Sequence, residues 1–199
     1  MASKTVTDPA ARLADRLNYL PIAVFGLWLA PIIHLWLQAF APVEAFRPSG
    51  WTPPSLSPLP WFAAGLAAGL TALATPRCWY RPRAFEAGLY RRLVVRAFRR
   101  LATNGDVIVR AARRRYPGYT IHSGDLDQAL KNTIIGEKSH AALFLFGAVT
   151  SAYAIAVGWE AWAIWSIVTN IIGNLYPVLL QRYTRGRLAR MGVRLGSAR

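Results

Sequence analysis

Glu137 and His140 stand three residues apart, a spacing that puts both on one face of a helix. A carboxylate beside an imidazole raises the ring's basicity and fixes its orientation, as a general base requires when it takes a proton from a hydroxyl near neutral pH. A second group follows: Asn170, Asn174 and Gln181 at offsets of four and seven along one helical stripe, then Arg182, Tyr183, Arg185 and Arg187. Amides donate to a developing oxyanion, and guanidinium groups clamp a phosphate or carboxylate through paired hydrogen bonds. These residue types suit a base that takes a proton from a hydroxyl beside a clamp for the anionic group of an acyl-carrier or phospholipid donor. Glu137 and His140 are the candidate catalytic pair, with His140 oriented by Glu137. Asn174, Gln181, Arg182, Tyr183, Arg185 and Arg187 are the candidate substrate-binding residues. The structural alternative is a solvated Glu and His, interhelical amide bonds and an arginine anchor at a membrane face.

Other chemistries lack their signatures. There is no phosphate-binding Gly-Lys-Ser loop, nucleophile elbow, two-histidine zincin helix or dinucleotide fingerprint. Cys78 is the single cysteine, so neither an internal disulfide nor a multi-thiolate zinc site is available. One Glu and one His are too few for a metal, and His34 belongs to a different apolar run. No metal and no cofactor are expected.

Four apolar stretches must position these groups. Tyr19 to Ala41 is uncharged and long enough to cross a hydrocarbon core, which sets it apart from a cleavable signal. Pro21 suits its first turn and Pro31 should kink it. Leu59 to Thr75 is shorter and rich in alanine, with Gly65 and Gly69 four apart for close helix packing. Ala141 to Trp159 and Ala161 to Leu180 are divided by a turn at Gly158-Trp159-Glu160 and read as a transmembrane hairpin.

The 199 residues carry 24 Lys and Arg against 9 Asp and Glu, a net charge of +15, yet 54% are hydrophobic. Charge alone would suit a nucleic acid, but a nucleic-acid binder has no use for long uncharged runs, whereas a membrane protein facing anionic lipid uses both features. More than half of the basic residues lie between Pro76 and Ser139. There Phe85, Leu89, Leu93, Val94, Ala97, Phe98 and Leu101 recur at helical spacing between arginines, which reads as a basic amphipathic helix on the membrane surface. Asn104-Gly105 breaks it, Tyr116-Pro117-Gly118 ends a second element, and Ser123 or Asp125 caps a further helix.

The fold class expected is all-α, an integral membrane bundle of about four transmembrane helices with a basic cytoplasmic amphipathic region. Its parts are a cytoplasmic segment over 1–18, two spans joined by a Pro-rich loop over 19–75, the basic region over 76–139, the hairpin over 140–181 and a basic tail over 182–199. Lys and Arg stay on the cytoplasmic side, so both termini are expected in the cytoplasm and the chain in the cell membrane.

The string Asn174-Leu-Tyr-Pro-Val-Leu-Leu-Gln181-Arg182-Tyr183-Thr-Arg185-Gly-Arg187-Leu188 resembles the end of the glycosyl-4,4'-diaponeurosporenoate acyltransferases. Glu137-x-x-His140 is similar to the Glu-x-x-His before that family's penultimate hydrophobic run, and Phe85-Glu86 with the Val95-Arg96 helix to its earlier basic segment. The resemblance covers roughly Phe85 to Leu188. It implies an integral membrane enzyme that esterifies a sugar hydroxyl of a glycosylated carotenoid with a fatty acyl chain. Its partners would be an acyl donor (acyl-CoA, acyl carrier protein or lipid) and a glycosylated carotenoid or other lipid acceptor, with anionic lipid around it and no nucleic acid. The alternative from another class is a non-catalytic membrane subunit or lipid-binding adaptor.

Overall fold

The computed structural model describes residues 9–41, 52–81, 83, 86–93, 95–102, 106–117 and 126–196. Phe85, Asn104-Gly105, Gly118, Ser123, Asp125, the extreme ends and residues 42–51 of the Pro-rich loop lie outside them. Every regular element among the described residues is helical: α1 (Pro9–Phe40), α2 (Pro58–Ala74), α3 (Glu86–Arg92), α4 (Val95–Leu101), α5 (Asp106–Arg115), α6 (Leu126–Ala156), α7 (Glu160–Asn170) and α8 (Tyr176–Gly196). A 3-10 turn, Arg77–Tyr80, follows α2, and a π-helical segment, Ile171–Leu175, joins α7 to α8 in one rod.

Among the described residues, two rods, Leu126–Ala156 and Glu160–Arg190, are long and apolar enough to cross a membrane, and the sequence suggested four spans. α2 is a shorter apolar helix of 17 residues, and α1 runs for 32. α1 begins ten residues before the expected span, so Pro21 and Pro31 are both interior to it. The extension has a tertiary cause: Ala14 and Leu17 pack against Ile108 and Ala112 of α5 in a small apolar cluster. α6 likewise runs unbroken from Leu126 through the hydrophobic stretch, because Leu126 to His140 is itself helical without a breaker.

The ends of α1 and α6 and the starts of α2 and α7 meet at one end of the bundle. Ile32, Leu35, Trp36 and Ala39 pack there with Tyr153, Ala154, Val157, Trp159 and Ala163. Trp36 stacks on Tyr153 with ring centroids 5.2 Å apart, and its indole N–H donates to Thr150 Oγ1 at 3.1 Å. Gly158 makes the α6–α7 turn at φ +76°, a left-handed conformation that costs glycine no Cβ clash. Trp159 Nε1 donates to Thr52 O, which holds the described part of the Pro-rich loop over this turn.

α2 lies against α6 through its small residues. A Cβ on Gly65 would meet the Phe146 ring at 2.9 Å, and one on Gly69 would meet Ala142 O at 3.3 Å. At the far end Lys138 Nζ donates to Leu73 O, in the last turn of α2. The expected single amphipathic helix is two short ones, α3 and α4, whose rings face α8: Tyr90 meets Tyr183 and Phe98 meets Tyr176, at 5.8 and 5.1 Å between centroids. The arginine-rich segment thus places part of its apolar face on protein.

Candidate functional site

Glu137 lies in the half of α6 away from the hairpin turn and is 2% exposed. A carboxylate so buried needs charge and hydrogen bonds to offset desolvation, and α8 supplies them. Arg182 Nε donates to Glu137 Oε1 at 2.6 Å, and Arg185 Nη2 donates to Glu137 Oε2. Arg182 then reaches two further groups: Nη1 donates to Glu86 Oε1 at 2.9 Å and Nη2 to Trp79 O at 2.8 Å. Tyr90, one turn along α3, donates its hydroxyl to Glu86 Oε2 at 2.7 Å. Arg185 is 4% exposed, with Nη1 near Thr133 Oγ1 at 3.5 Å and its guanidinium over the Tyr80 ring. Two carboxylates thus balance two guanidinium groups, and α3, α6, α8 and the turn after α2 are tied together.

Burial pushes the Tyr90 hydroxyl well above the ordinary phenol range, and its bond to Glu86 and that residue's charge push it further. Tyr80 is raised as well, by burial first. Both phenols therefore hold their protons beyond the ordinary phenol range.

His140 takes a different partner from the one its spacing suggested. Both oxygens of Glu137 are engaged by arginines, and His140 Nδ1 instead sits 3.3 Å from Asn174 Oδ1 on the π segment. The expected orientation of His140 by Glu137 is therefore replaced by orientation through Asn174, because two guanidinium groups already occupy both oxygens of the buried carboxylate. Asn174 Nδ2 donates to Asn170 Oδ1 at 2.9 Å, and Asn170 Nδ2 donates to Phe144 O at 2.8 Å. The π segment, with its wider turn, begins right after Asn170 and contains Asn174, so the two amides meet in a register that a π insertion modifies. Asn170 is seated on bare backbone: a Cβ on Gly147 would lie 2.7 Å from its Cγ.

The remaining candidates are spread around these two networks. Gln181 lies against Gly136, where a Cβ would meet its Nε2 at 2.9 Å. Tyr183 meets Tyr90, and Arg187 is exposed with its guanidinium over the Tyr183 ring. Arg182 and Arg185, expected to hold a ligand's anionic group, spend their charge on Glu86 and Glu137 instead. Glu86, Tyr90, Thr133 and Asn170 join the cluster although none was among the candidate site residues. Glu86 had a signal in the sequence, being the sole carboxylate between Pro76 and Gly105 in an arginine-rich stretch. Asn170 had one as a member of the amide stripe. Tyr90 and Thr133 had none.

A family model described as glycosyl-4,4'-diaponeurosporenoate acyltransferase matches residues 76–194, a range that contains both networks. No curated protein and no solved structure matches the chain.

Proposed function

The chain belongs to the glycosyl-4,4'-diaponeurosporenoate acyltransferase family, and from that premise we propose that it transfers a fatty acyl chain to a hydroxyl of a glycosylated carotenoid or related lipid. One observation carries the reading: a half-buried imidazole, His140, held by a buried amide chain and not by an ion pair. His140 takes the proton as the acceptor oxygen attacks the donor's acyl carbonyl. The tetrahedral intermediate collapses by breaking the bond to the donor's thiol or alcohol, which leaves with the proton that His140 returns. Gln181 is the amide available to the oxyanion, since Asn174 is engaged at both ends of its side chain.

The donor's anionic group needs cations that no carboxylate neutralises. Among the described residues Arg187 is one, and a cleft of about 460 Å³ lined by Pro9, Arg12, Leu13, Arg16, Arg115 and Tyr116 gathers three more. An acyl-CoA, an acyl carrier protein or an anionic lipid meets that requirement. We place the protein in the cell membrane with four spans and cytoplasmic termini. The large apolar side chains that α1, α2, α6 and α7 leave exposed, among them Ile33, Leu66, Leu145 and Ile164, support this. The ion-paired state of Glu137, Arg182 and Arg185 favours a second reading, a non-catalytic membrane subunit or lipid-binding adaptor in which the whole cluster is structural.

Mass spectrometry of lipids and pigments separates the two. Host cells lacking the gene are complemented with wild type or with His140→Ala. Loss of a species heavier than its precursor by one acyl unit, restored by wild type alone, supports acyl transfer. Full restoration by His140→Ala removes the base, and identical profiles in every strain leave the adaptor.

A further inference from the structure

The hydrogen-bond chain that ends on His140 has one polarity. It starts at Phe144 O, a backbone carbonyl that can only accept, so the Asn170 amide must face it with Nδ2. That turns Asn170 Oδ1 toward Asn174, whose Nδ2 must donate to it, because two amide oxygens face to face repel. Asn174 Oδ1 is then the atom left facing His140 Nδ1 at 3.3 Å. A ring nitrogen facing a carbonyl oxygen holds its place by carrying the proton. The assignment of two amides and one ring, which heavy atoms alone leave open, is thus fixed from the backbone outward.

We infer that Asn170 and Asn174 are positioning residues that hold neutral His140 as its Nδ1–H tautomer and leave Nε2 as the ring's basic nitrogen. The inference rests on His140 acting as the base, and it names which nitrogen does so and what fixes it. Free histidine in water favours the opposite tautomer, with the proton on Nε2, so the protein reverses the intrinsic preference. Asn170 is 4% and Asn174 7% exposed, so water does not readily replace either link, and Gly147 keeps Asn170 seated. A buried amide supplies an acceptor without a charge, so it sets the tautomer without placing a carboxylate beside the ring.

The test is ring-nitrogen NMR on the full chain in lipid nanodiscs, with 15N-labelled histidine and the His140 signals assigned by their loss in His140→Gln. At a pH where the ring is neutral, the expected spectrum shows a protonated Nδ1 and an unprotonated Nε2. A protonated Nε2 in the wild type overturns the inference without any variant. Asn174→Leu should move the proton to Nε2 and lower turnover by about 10²-fold, while Asn174→Asp, which keeps an acceptor, should retain the Nδ1–H signal. An unchanged Nδ1–H signal in Asn174→Leu also overturns it. Failure of the base itself reads out separately, as full activity of His140→Ala beside an Nδ1–H spectrum in the wild type.

Discussion

Arg182 donates to Glu86 across 2.9 Å although 96 residues separate them in the sequence. The same guanidinium holds Glu137, so one side chain of α8 fastens α3 to α6. Side-chain exposure of 17% for Arg182 and 6% for Glu86 puts this pair where loss of one partner strands a charge. Glu86→Ala should lower stability in detergent by about 3 kcal/mol. Amide exchange should rise chiefly in α3 and α4; unchanged exchange there would mean that Tyr90 and Phe98 alone dock the segment.

Glu137 answers two arginines, so its removal should cost more than that of Glu86. Glu137→Gln leaves Arg182 with Glu86 but strips Arg185, 5% exposed at its side chain, of the carboxylate it pairs with among the described residues. We expect a loss of about 3–5 kcal/mol in denaturation measured in lipid or detergent. Turnover per folded molecule should fall less than tenfold, against about 10²-fold or more for His140→Ala. Equal losses for the two variants would return Glu137 to the chemistry.

Much of this arrangement was legible in the sequence, and the exceptions share a cause. The apolar runs after Ser139 announced the α6–α7 hairpin, and Gly65 with Gly69 announced a close helix contact. α1 was underestimated at its start because Pro9 to Asn18 forms helix through packing of Ala14 and Leu17 on α5, a contact between distant segments that a local polar pattern hides. The Glu137–His140 spacing gave the shared helix face correctly but not the partner. Which group a buried carboxylate binds depends on what α8 brings to it, and Arg182 and Arg185 lie 45 and 48 positions away. The π segment at Ile171–Leu175 had no residue signature at all.

Tyr90 makes the cluster sensitive to alkali. Its pKa is raised in the folded protein above the ordinary phenol value, so the stability it contributes is fully present below about pH 10. That contribution is lost as pH rises further, since the unfolded chain then releases a proton that the folded one keeps. Thermal denaturation followed from pH 8 to 11 should therefore show a steeper alkaline decline for wild type than for Tyr90→Phe, which lacks the titrating group. Parallel profiles would remove Tyr90 as the source.

Gly147 and Gly88 test whether the amide chain depends on a bare backbone. A Cβ on Gly147 would lie 2.7 Å from Asn170 Cγ and 2.8 Å from both of its terminal atoms, closer than any Cβ contact tolerates, so Asn170 must move. Asn170 is anchored to Phe144 O, and a shift there propagates to Asn174 and His140. Gly147→Ala should cost about 1–3 kcal/mol and lower turnover beyond what the folded fraction explains. Gly88 in α3 faces open space, so Gly88→Ala should keep turnover and gain up to about 1 kcal/mol from helix propensity. If both variants turned over like wild type, the packing of Asn170 on Gly147 would not matter to the reaction, and the route from backbone to His140 would have to begin at Asn174.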